Sequence, residues 1–215
     1  MIRSGYIPIV ERGRDLPVLF AQERLWLLAQ TEGGRKAYQS LRSLHLRGEL
    51  NRIALRQALN EIVARHEALR TVFRLVDGNP VQRIIGKHDS QFHLREHDLR
   101  ECEKAAEEFD RLIAEEASTS FDLETGPPIR GRLIRKAEQD HVLLISMHHI
   151  VSDAWSFGVF SNELSALYSA YMRTGIQANF SIGQAAMRRD RRRTVLLLRA
   201  ALPRLAVTVL LLSSR

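Results

Sequence analysis

Cysteine is almost absent from this chain of 215 residues, which carries only Cys102. A lone cysteine forms no internal disulfide and no cysteine-based metal cluster, which is typical of a protein from a reducing compartment. The first residues, Met1 to Tyr6, lack the apolar core of a secretion signal. These absences together predict a cytoplasmic protein.

Apolar runs long enough to cross a membrane are also missing. The most apolar stretch, Leu205 to Leu212, is far shorter than the ~20 residues that a membrane-spanning helix needs. The sequence before it is rich in arginine and contains Pro203. A basic amphipathic anchor is the less favoured alternative for this segment, and we expect no membrane partner.

Positive charge is in excess only near the C-terminus. Eight of the 32 lysines and arginines and one of the 25 acidic residues follow residue 180, so residues 1–180 carry 24 of each sign. A neutral body excludes the broad basic surface that is typical of nucleic-acid-binding proteins. We therefore expect no nucleic-acid partner for the folded part.

Hydrophobic periodicity predicts helices and strands in mixed order. The predicted helices lie at 20–28, at 51–65 with Asn51 as cap, at 101–116, and from Ser152 or Asp153 to just before Gly175. The predicted strands lie at 41–47, 71–76, 81–85, 129–135 and 141–149, with Asp77-Gly78 as a hairpin turn. This order indicates an α/β (α+β) class, in which helices flank a mixed, largely antiparallel sheet.

Two adjacent histidines, His148 and His149, end the strand predicted at 141–149. Side chains alternate along a strand, so the two rings are expected to point in opposite directions, one into a cleft and one behind it. Opposite faces prevent shared coordination of one ion, and no metal site is predicted. On these residues alone, one packed and one solvated histidine is the simpler interpretation.

Four segments, in order over about residues 17–175, resemble the N-terminal half of a condensation domain from nonribosomal peptide synthetases. The segments read FAQERLW at 20–26, RHEALRTVF at 65–73, FDLETGP at 121–127 and HHIVSD at 148–153. The last one is similar to the core of the family's HHxxxDG signature. Wax-ester synthases and other acyltransferases share that signature, so the specificity comes from the four segments together.

The resemblance implies a fold like that of chloramphenicol acetyltransferase, with two lobes around a tunnel that holds the active site. Residues 15–178 would form the N-terminal lobe, and residues 179–215 a tail outside the family. The implied partners are donor and acceptor peptidyl-carrier domains, adjacent synthetase modules and the missing C-terminal lobe. Substrates would arrive on phosphopantetheine arms of the carriers, so no cofactor is expected on this chain.

Carried over by position, the resemblance makes His149 the catalytic residue and makes His148 and Asp153 its supporting residues. His149 would accept a proton from the attacking amine or position that amine, and the sequence leaves both roles open. A buried carboxylate needs a charged partner. We therefore hypothesise a salt bridge from Asp153 to Arg65 or Arg70 that holds the loop aiming His149.

Two departures from the family pattern bear on activity. Ala154 replaces the glycine of the signature; alanine keeps the N–H that helps to hold an oxyanion, but it disfavours a positive φ by roughly 1 kcal/mol or more. A strained loop would misplace His149.

The arginine- and leucine-rich tail resembles nothing in the family, and a shifted reading frame is our hypothesis for it. We expect little or no turnover by this chain alone.

Two other functions stay open at the level of sequence. One is an acyltransferase of the same superfamily that forms esters. The other is a non-catalytic remnant that still binds a carrier protein. Trp155, which follows the signature, is expected in the core of the last helix.

Overall fold

The computed structural model describes residues 14–31, 33–174 and 205–210. Its helices are α1 (Phe20–Ala29), α2 (Gly34–Ala37), α3 (Arg52–Arg65), α4 (Ala105–Ser118) and α5 (Ala154–Thr174), with a 3₁₀ helix at Glu67–Arg70. Its strands are β1 (Leu16–Pro17), β2 (Gln39–Gly48), β3 (Thr71–Val76), β4 (Asn79–Ile84), β5 (His93–Asp98), β6 (Ile129–Ala137), β7 (Asp140–His148) and β8 (Leu205–Leu210).

Two predictions fall partly outside this description. Most of the tail assigned to 179–215, and the lobe boundary at 178, lie outside the described residues.

Among the helices that are described, none is long and apolar enough to cross a membrane.

A five-stranded sheet with the order β5-β6-β7-β2-β8 forms the centre of the fold. β5 and β6 run parallel, and the other neighbours run antiparallel. In the β2–β7 ladder, Gln39 lies opposite His148 and Arg47 lies opposite Asp140. A smaller antiparallel sheet has the order β1-β4-β3. The predicted mixed, largely antiparallel arrangement flanked by helices is confirmed.

Helices α3 and α5 cover one face of the large sheet. Asn51 begins α3 as predicted, because its Oδ1 accepts the N–H of Ala54 at 3.0 Å. The predicted apolar stripe of α3 is fully buried, and it consists of Leu55, Ala58, Leu59, Ile62 and Val63. On β7 the residues that share this core are Leu143, Ile145 and Met147.

Helix α4 covers the opposite face of the sheet. Val142 and Leu144 of β7 pack there with Leu112 of α4. Because faces alternate along a strand, Ser146 and His148 belong to the same face as these two residues. The side chain of His148 is therefore directed towards the α4 layer.

A third apolar cluster joins the small sheet to the end of β7. It contains Trp26 of α1, Phe73 of β3, Leu123 and Ile150. The N–H of Phe73 also donates to the carbonyl of Leu123 at 2.7 Å. Ile150 follows the two histidines, so this cluster fixes the loop that carries them.

The predicted hairpin is present, with small differences elsewhere. Asp77 and Gly78 have φ values of 50° and 76°, as a two-residue type I′ turn requires. Helix α4 begins at Ala105, four residues later than predicted, because the N–H of Cys102 turns back to the carbonyl of Leu99. Strand β5 was not predicted, since its sequence is mostly charged.

We expect Leu59→Ala to lower the free energy of unfolding by about 2–5 kcal/mol, since Leu59 is 0% exposed and its loss leaves a cavity. The matched control is Ile53→Ala on the same helix, where the side chain is 69% exposed and a change within about 0.5 kcal/mol is expected. Urea unfolding followed by circular dichroism measures both values. Equal losses in the two variants would contradict the described packing of α3.

Candidate active site

The loop that follows β7, residues 148–153, is held by hydrogen bonds to residues beside both neighbouring strands. The N–H of His148 donates to the carbonyl of Pro128 at 3.0 Å, next to β6. The N–H of His149 donates to the carbonyl of Tyr38 at 2.8 Å, next to β2. The two histidines therefore lie at a fixed position at the end of the central strand β7. This strand ends one residue earlier than predicted.

His148 is a buried, neutral residue. Its side chain is 1% exposed, and its Nδ1 accepts the N–H of Ile150 at 3.1 Å. The proton of the neutral ring is therefore on Nε2, which has no hydrogen-bond partner among the described residues. Burial, followed by the nearby charge of His149, lowers the pKa of His148 to about 4. The ring therefore stays uncharged at neutral pH.

His149 is exposed, so the predicted opposite directions of the two rings are confirmed. Its Nδ1 lies 3.3 Å from the carbonyl oxygen of Ser152. A carbonyl only accepts, so Nδ1 carries a proton, and in the neutral form of the ring Nε2 keeps a lone pair. Ser152 is itself fixed, since its buried hydroxyl donates to the carbonyl of His148 at 2.9 Å. The ring of His149 thus presents a proton acceptor to solvent.

Asp153 is the N-cap of α5. Its Oδ1 accepts the N–H of Ser156 at 2.8 Å and the hydroxyl of Ser156 at 2.7 Å. The Ser156 hydroxyl oxygen in turn accepts the N–H of Asp153 at 3.1 Å, which completes a reciprocal capping arrangement. These hydrogen bonds lower the pKa of Asp153. The carboxylate therefore fixes the point at which the histidine loop becomes a helix.

The hypothesised salt bridge between Asp153 and Arg65 is absent from the structure. Arg65 instead pairs with Glu61 at 3.3 Å and with Glu163 of α5 at 3.7 Å. Asp153 is exposed, so water and the helix cap satisfy its charge without a cation. Arg65 therefore contributes to the α3–α5 contact and does not touch the histidine loop.

Arg70 does not reach Asp153 either. Its guanidinium donates to the carbonyl of Ile85, and it lies 3.6 Å from the Glu67 carboxylate. The Arg70 side chain is 12% exposed and is therefore largely buried. Its contacts join the 3₁₀ helix to the end of β4, so the hypothesis that it supports His149 through Asp153 is wrong.

The residues after Asp153 also differ from expectation. Ala154 is the first residue of α5, and helical φ values are negative, so its backbone gives no reason for the predicted misplacement of His149. Trp155 is 67% exposed, and its assignment to the helix core is wrong. The inward stripe of α5 begins later, at Phe160 and Leu164.

One buried charged cluster was missed by the sequence analysis. Glu116 of α4 is 2% exposed and Arg132 of β6 is 1% exposed, and the two form an ion pair at 3.3 Å. The available signal was two arginines, Arg130 and Arg132, on one face of a strand that follows an acidic helix. In the described part of the chain, no group of three or more histidine, cysteine or acidic residues is placed to hold a metal ion.

Comparison with known families now identifies the chain. The profile described as "Condensation domain" matches residues 13–179. Because this match covers most of the sequence, the chain belongs to the condensation-domain family. The fold is accordingly the chloramphenicol-acetyltransferase-like one that the resemblance implied, and a condensation domain is among the solved structures that it resembles.

Several relatives are large synthetases. Malpibaldin synthetase of Mortierella alpina is 45% identical over 79% of this chain and 3% of the synthetase. A linear gramicidin synthase of Brevibacillus parabrevis is 44% identical over 79% of this chain and 2% of the synthase polypeptide. The chain thus spans only a few per cent of the length of these curated relatives.

Two solved structures illustrate the shared fold. The X-domain from teicoplanin biosynthesis is 34% identical with a TM-score of 0.67, over 78% of this chain and 35% of the solved chain. The starter condensation domain of rhizomide synthetase has a TM-score of 0.70 over 80% of this chain and 41% of the solved chain. The latter is 19% identical and bears on the fold alone.

The depressed pKa of His148 makes stability depend on pH. The unfolded residue binds a proton near pH 6.5, whereas the folded residue does so only near pH 4, so the unfolded state holds more protons between these values. The free energy of unfolding should therefore fall as the pH drops from 7 to 4, by about 3 kcal/mol from this residue.

The measurement is urea unfolding across this pH range, compared between the protein and its His148→Gln variant. All other residues are the same in both proteins, so the difference between the two curves isolates His148. We expect a smaller decline in the variant. Parallel curves would show that His148 is not buried in its neutral form.

Substitutions of Asp153 distinguish the helix cap from the hypothesised salt bridge. Asparagine caps helices about as well as aspartate, whereas alanine costs about 1 kcal/mol. We expect Asp153→Asn to keep the free energy of unfolding within a few tenths of a kcal/mol and Asp153→Ala to lower it by about 1 kcal/mol. Equal losses in both variants would indicate that the negative charge, and not the cap hydrogen bond, is what matters.

Proposed function

We propose that this chain contributes the histidine-bearing lobe of a domain that joins two carrier-bound thioesters through an amide bond. The observation that carries the proposal is the exposed ring of His149, whose Nδ1 is held by the carbonyl of Ser152 and whose Nε2 has no hydrogen-bond partner among the described residues. Membership of the condensation-domain family, with synthetases among the relatives, supports the same reaction.

The proposed reaction transfers an acyl or peptidyl group to an amine. The amine nitrogen attacks the carbonyl carbon of the donor thioester, and His149 Nε2 accepts the proton that the nitrogen loses. The tetrahedral intermediate then expels the thiolate, which takes up a proton. A C–N bond forms, a C–S bond breaks, and the products are an amide and a free thiol. If His149 only positions the amine, the same bonds change and water takes up the proton that the nitrogen loses.

The partners in this proposal are donor and acceptor carrier domains, whose phosphopantetheine arms present the thioesters, together with adjacent synthetase modules. A C-terminal lobe would supply the opposite wall of the site. Support comes from two large apolar side chains that this lobe exposes, Phe20 at 85% and Trp155 at 67%. Aromatic side chains are enriched at protein contact surfaces.

The remaining candidate residues act at a distance in this proposal. His148 and Asp153 hold the two ends of the loop that carries His149, one from the core and one from the N-terminus of α5. Arg65 and Arg70 stabilise the neighbouring elements. Ala154, the first residue of α5, takes no oxyanion role in this proposal, since the Asp153 carboxylate caps the first turn of the helix, where an oxyanion would meet a like charge.

A second candidate function is a binding role without turnover. The observation in its favour is the likeness to the X-domain from teicoplanin biosynthesis, at 31% identity in a structure of the X-domain in complex with OxyB. In that case this chain would retain the loop geometry and bind a carrier or another protein. The ester-forming alternative differs from amide formation in its acceptor, which is a hydroxyl group in place of an amine.

The test is an assay of product by mass spectrometry. The full chain is combined with the C-terminal lobe of a condensation domain from the linear gramicidin synthase described above, and with aminoacyl thioesters on carrier proteins. We expect amide product, reduced about 10²–10⁴-fold in His149→Ala, as the loss of an acid–base group predicts. The matched control is His88→Ala, which removes another exposed histidine and should leave the rate unchanged.

Three results would contradict the proposal. Equal rates in the His149→Ala variant would exclude His149 as the reactive group. Faster product formation with a hydroxyl acceptor than with an amine would favour the ester-forming alternative. Binding of a loaded carrier without any product, measured by calorimetry, would favour the binding role.

A further inference from the structure

A buried carboxylate, Glu116, organises the face of the sheet behind the histidines. Its oxygens accept hydrogen bonds from Arg130 Nε at 2.6 Å, from the Ser146 hydroxyl at 2.7 Å and from Arg132 Nε at 3.3 Å. Burial alone would raise the pKa of Glu116, but the Ser146 hydrogen bond and the Arg130 charge outweigh it and lower the pKa. The carboxylate is therefore ionised and fixes both guanidinium groups.

Arg130 uses its remaining N–H groups on the segment between α4 and the FDLETGP motif. They donate to the carbonyls of Thr119 and, at 3.3 Å, of Ser120. The guanidinium carbon also lies 4.0 Å from the centre of the Phe121 ring, in a cation–π contact. A planar fork with five donors makes all of these contacts at once. Arg130 thereby sets the position of the Phe121 ring.

Phe121 in turn contacts His148. The two ring centres are 6.1 Å apart with an interplanar angle of 85°, an edge-to-face arrangement. The ring and carbonyl of His148 then order the loop, because they accept from the N–H of Ile150 and the hydroxyl of Ser152. Ser152 supplies the carbonyl that holds Nδ1 of His149. A continuous series of contacts thus runs from Arg130 to His149.

We propose that Arg130 is a positioning residue for His149 and acts through the Phe121 and His148 rings. The buried ion pair with Glu116 holds the guanidinium in place, and the guanidinium holds the ring that seats His148. The inference rests on the proposed function only in taking His149 as the reactive group. Neither Arg130 nor Phe121 touches the reacting atoms in this account.

Arg132 provides a matched control within the same cluster. It is as deeply buried as Glu116 and also pairs with it. Its other contacts are to Glu115 at 2.9 Å and to His97 at 3.2 Å, which lead away from Phe121. Loss of Arg132 therefore removes one charge from the cluster, as loss of Arg130 does, but leaves the ring contacts in place.

The experiment compares Arg130→Met, Phe121→Leu and Arg132→Met in the full chain. The readout is the fraction of His149 in the Nδ1–H tautomer, from long-range ¹H–¹⁵N spectra without substrate. We expect this fraction to fall in the first two variants and to match the wild type in Arg132→Met. Phe121→Leu leaves no buried charge unpaired, so it decides the question if Arg130→Met does not fold.

Turnover in the completed domain is the second readout, and it separates this inference from the proposed function. We expect kcat to fall roughly 10- to 100-fold in Phe121→Leu with little change in KM, as a displaced catalytic group predicts. A wild-type tautomer fraction in Phe121→Leu would overturn the inference even where His149→Ala abolishes turnover. An altered fraction of the Nδ1–H tautomer of His149 in Phe121→Leu supports the inference even where no variant forms product.

Discussion

Strand β7 lies between β6 and β2, and its side chains from His141 to His148 are all buried. Its register is set by ladders on both sides, with Gln39 of β2 opposite His148 and Ile129 of β6 opposite Met147. This constraint places His148 in the α4 layer and directs the next residue out of the core. The asymmetry of the histidine pair follows from where the buried strand ends.

The consequences of that burial extend into the loop. A charged imidazole at the position of His148 would be costly, so the ring stays neutral and its Nδ1 is free to accept the N–H of Ile150. The same residue's carbonyl anchors Ser152, and Ser152 orients His149. One buried ring thereby defines both the path of the loop and the tautomer of the exposed ring.

Helix α5 closes the loop at its other end. Asp153 and Ser156 satisfy backbone donors of the first turn, so the helix begins at a fixed point just after the histidines. Its inward side, with Phe160 and Leu164, packs on the core shared with α3. The site is thus supported from the sheet, from α4 and from α5, which is what a precisely held proton acceptor needs.

Much of this arrangement could be predicted from local sequence. The continuous apolar run of β7 and the stripe of α3 are short-range patterns, and they gave the elements and the opposite faces of His148 and His149. The cap by Asp153 had a local signal too, since a serine follows three residues later.

The contacts of Glu116 were not predictable in the same way. They join α4 to residues 14 to 30 positions further along the chain, and sequence spacing alone does not reveal which strand face an acidic helix will cover. Arg65 shows the opposite case, in which the sequence motif is clear but the ion-pair partner is not. Its motif was recognised, but its partner, Glu163, lies on α5 and became clear only from the packing of α3 on α5.

The central claim is that the two adjacent histidines are held in opposite neutral tautomers, His148 with its proton on Nε2 and His149 with its proton on Nδ1. The most direct measurement is the set of imidazole ¹⁵N chemical shifts of the wild-type chain at the alkaline end of a pH series. The account predicts one protonated Nε2 and one protonated Nδ1 for the pair. The same tautomer on both rings would contradict it.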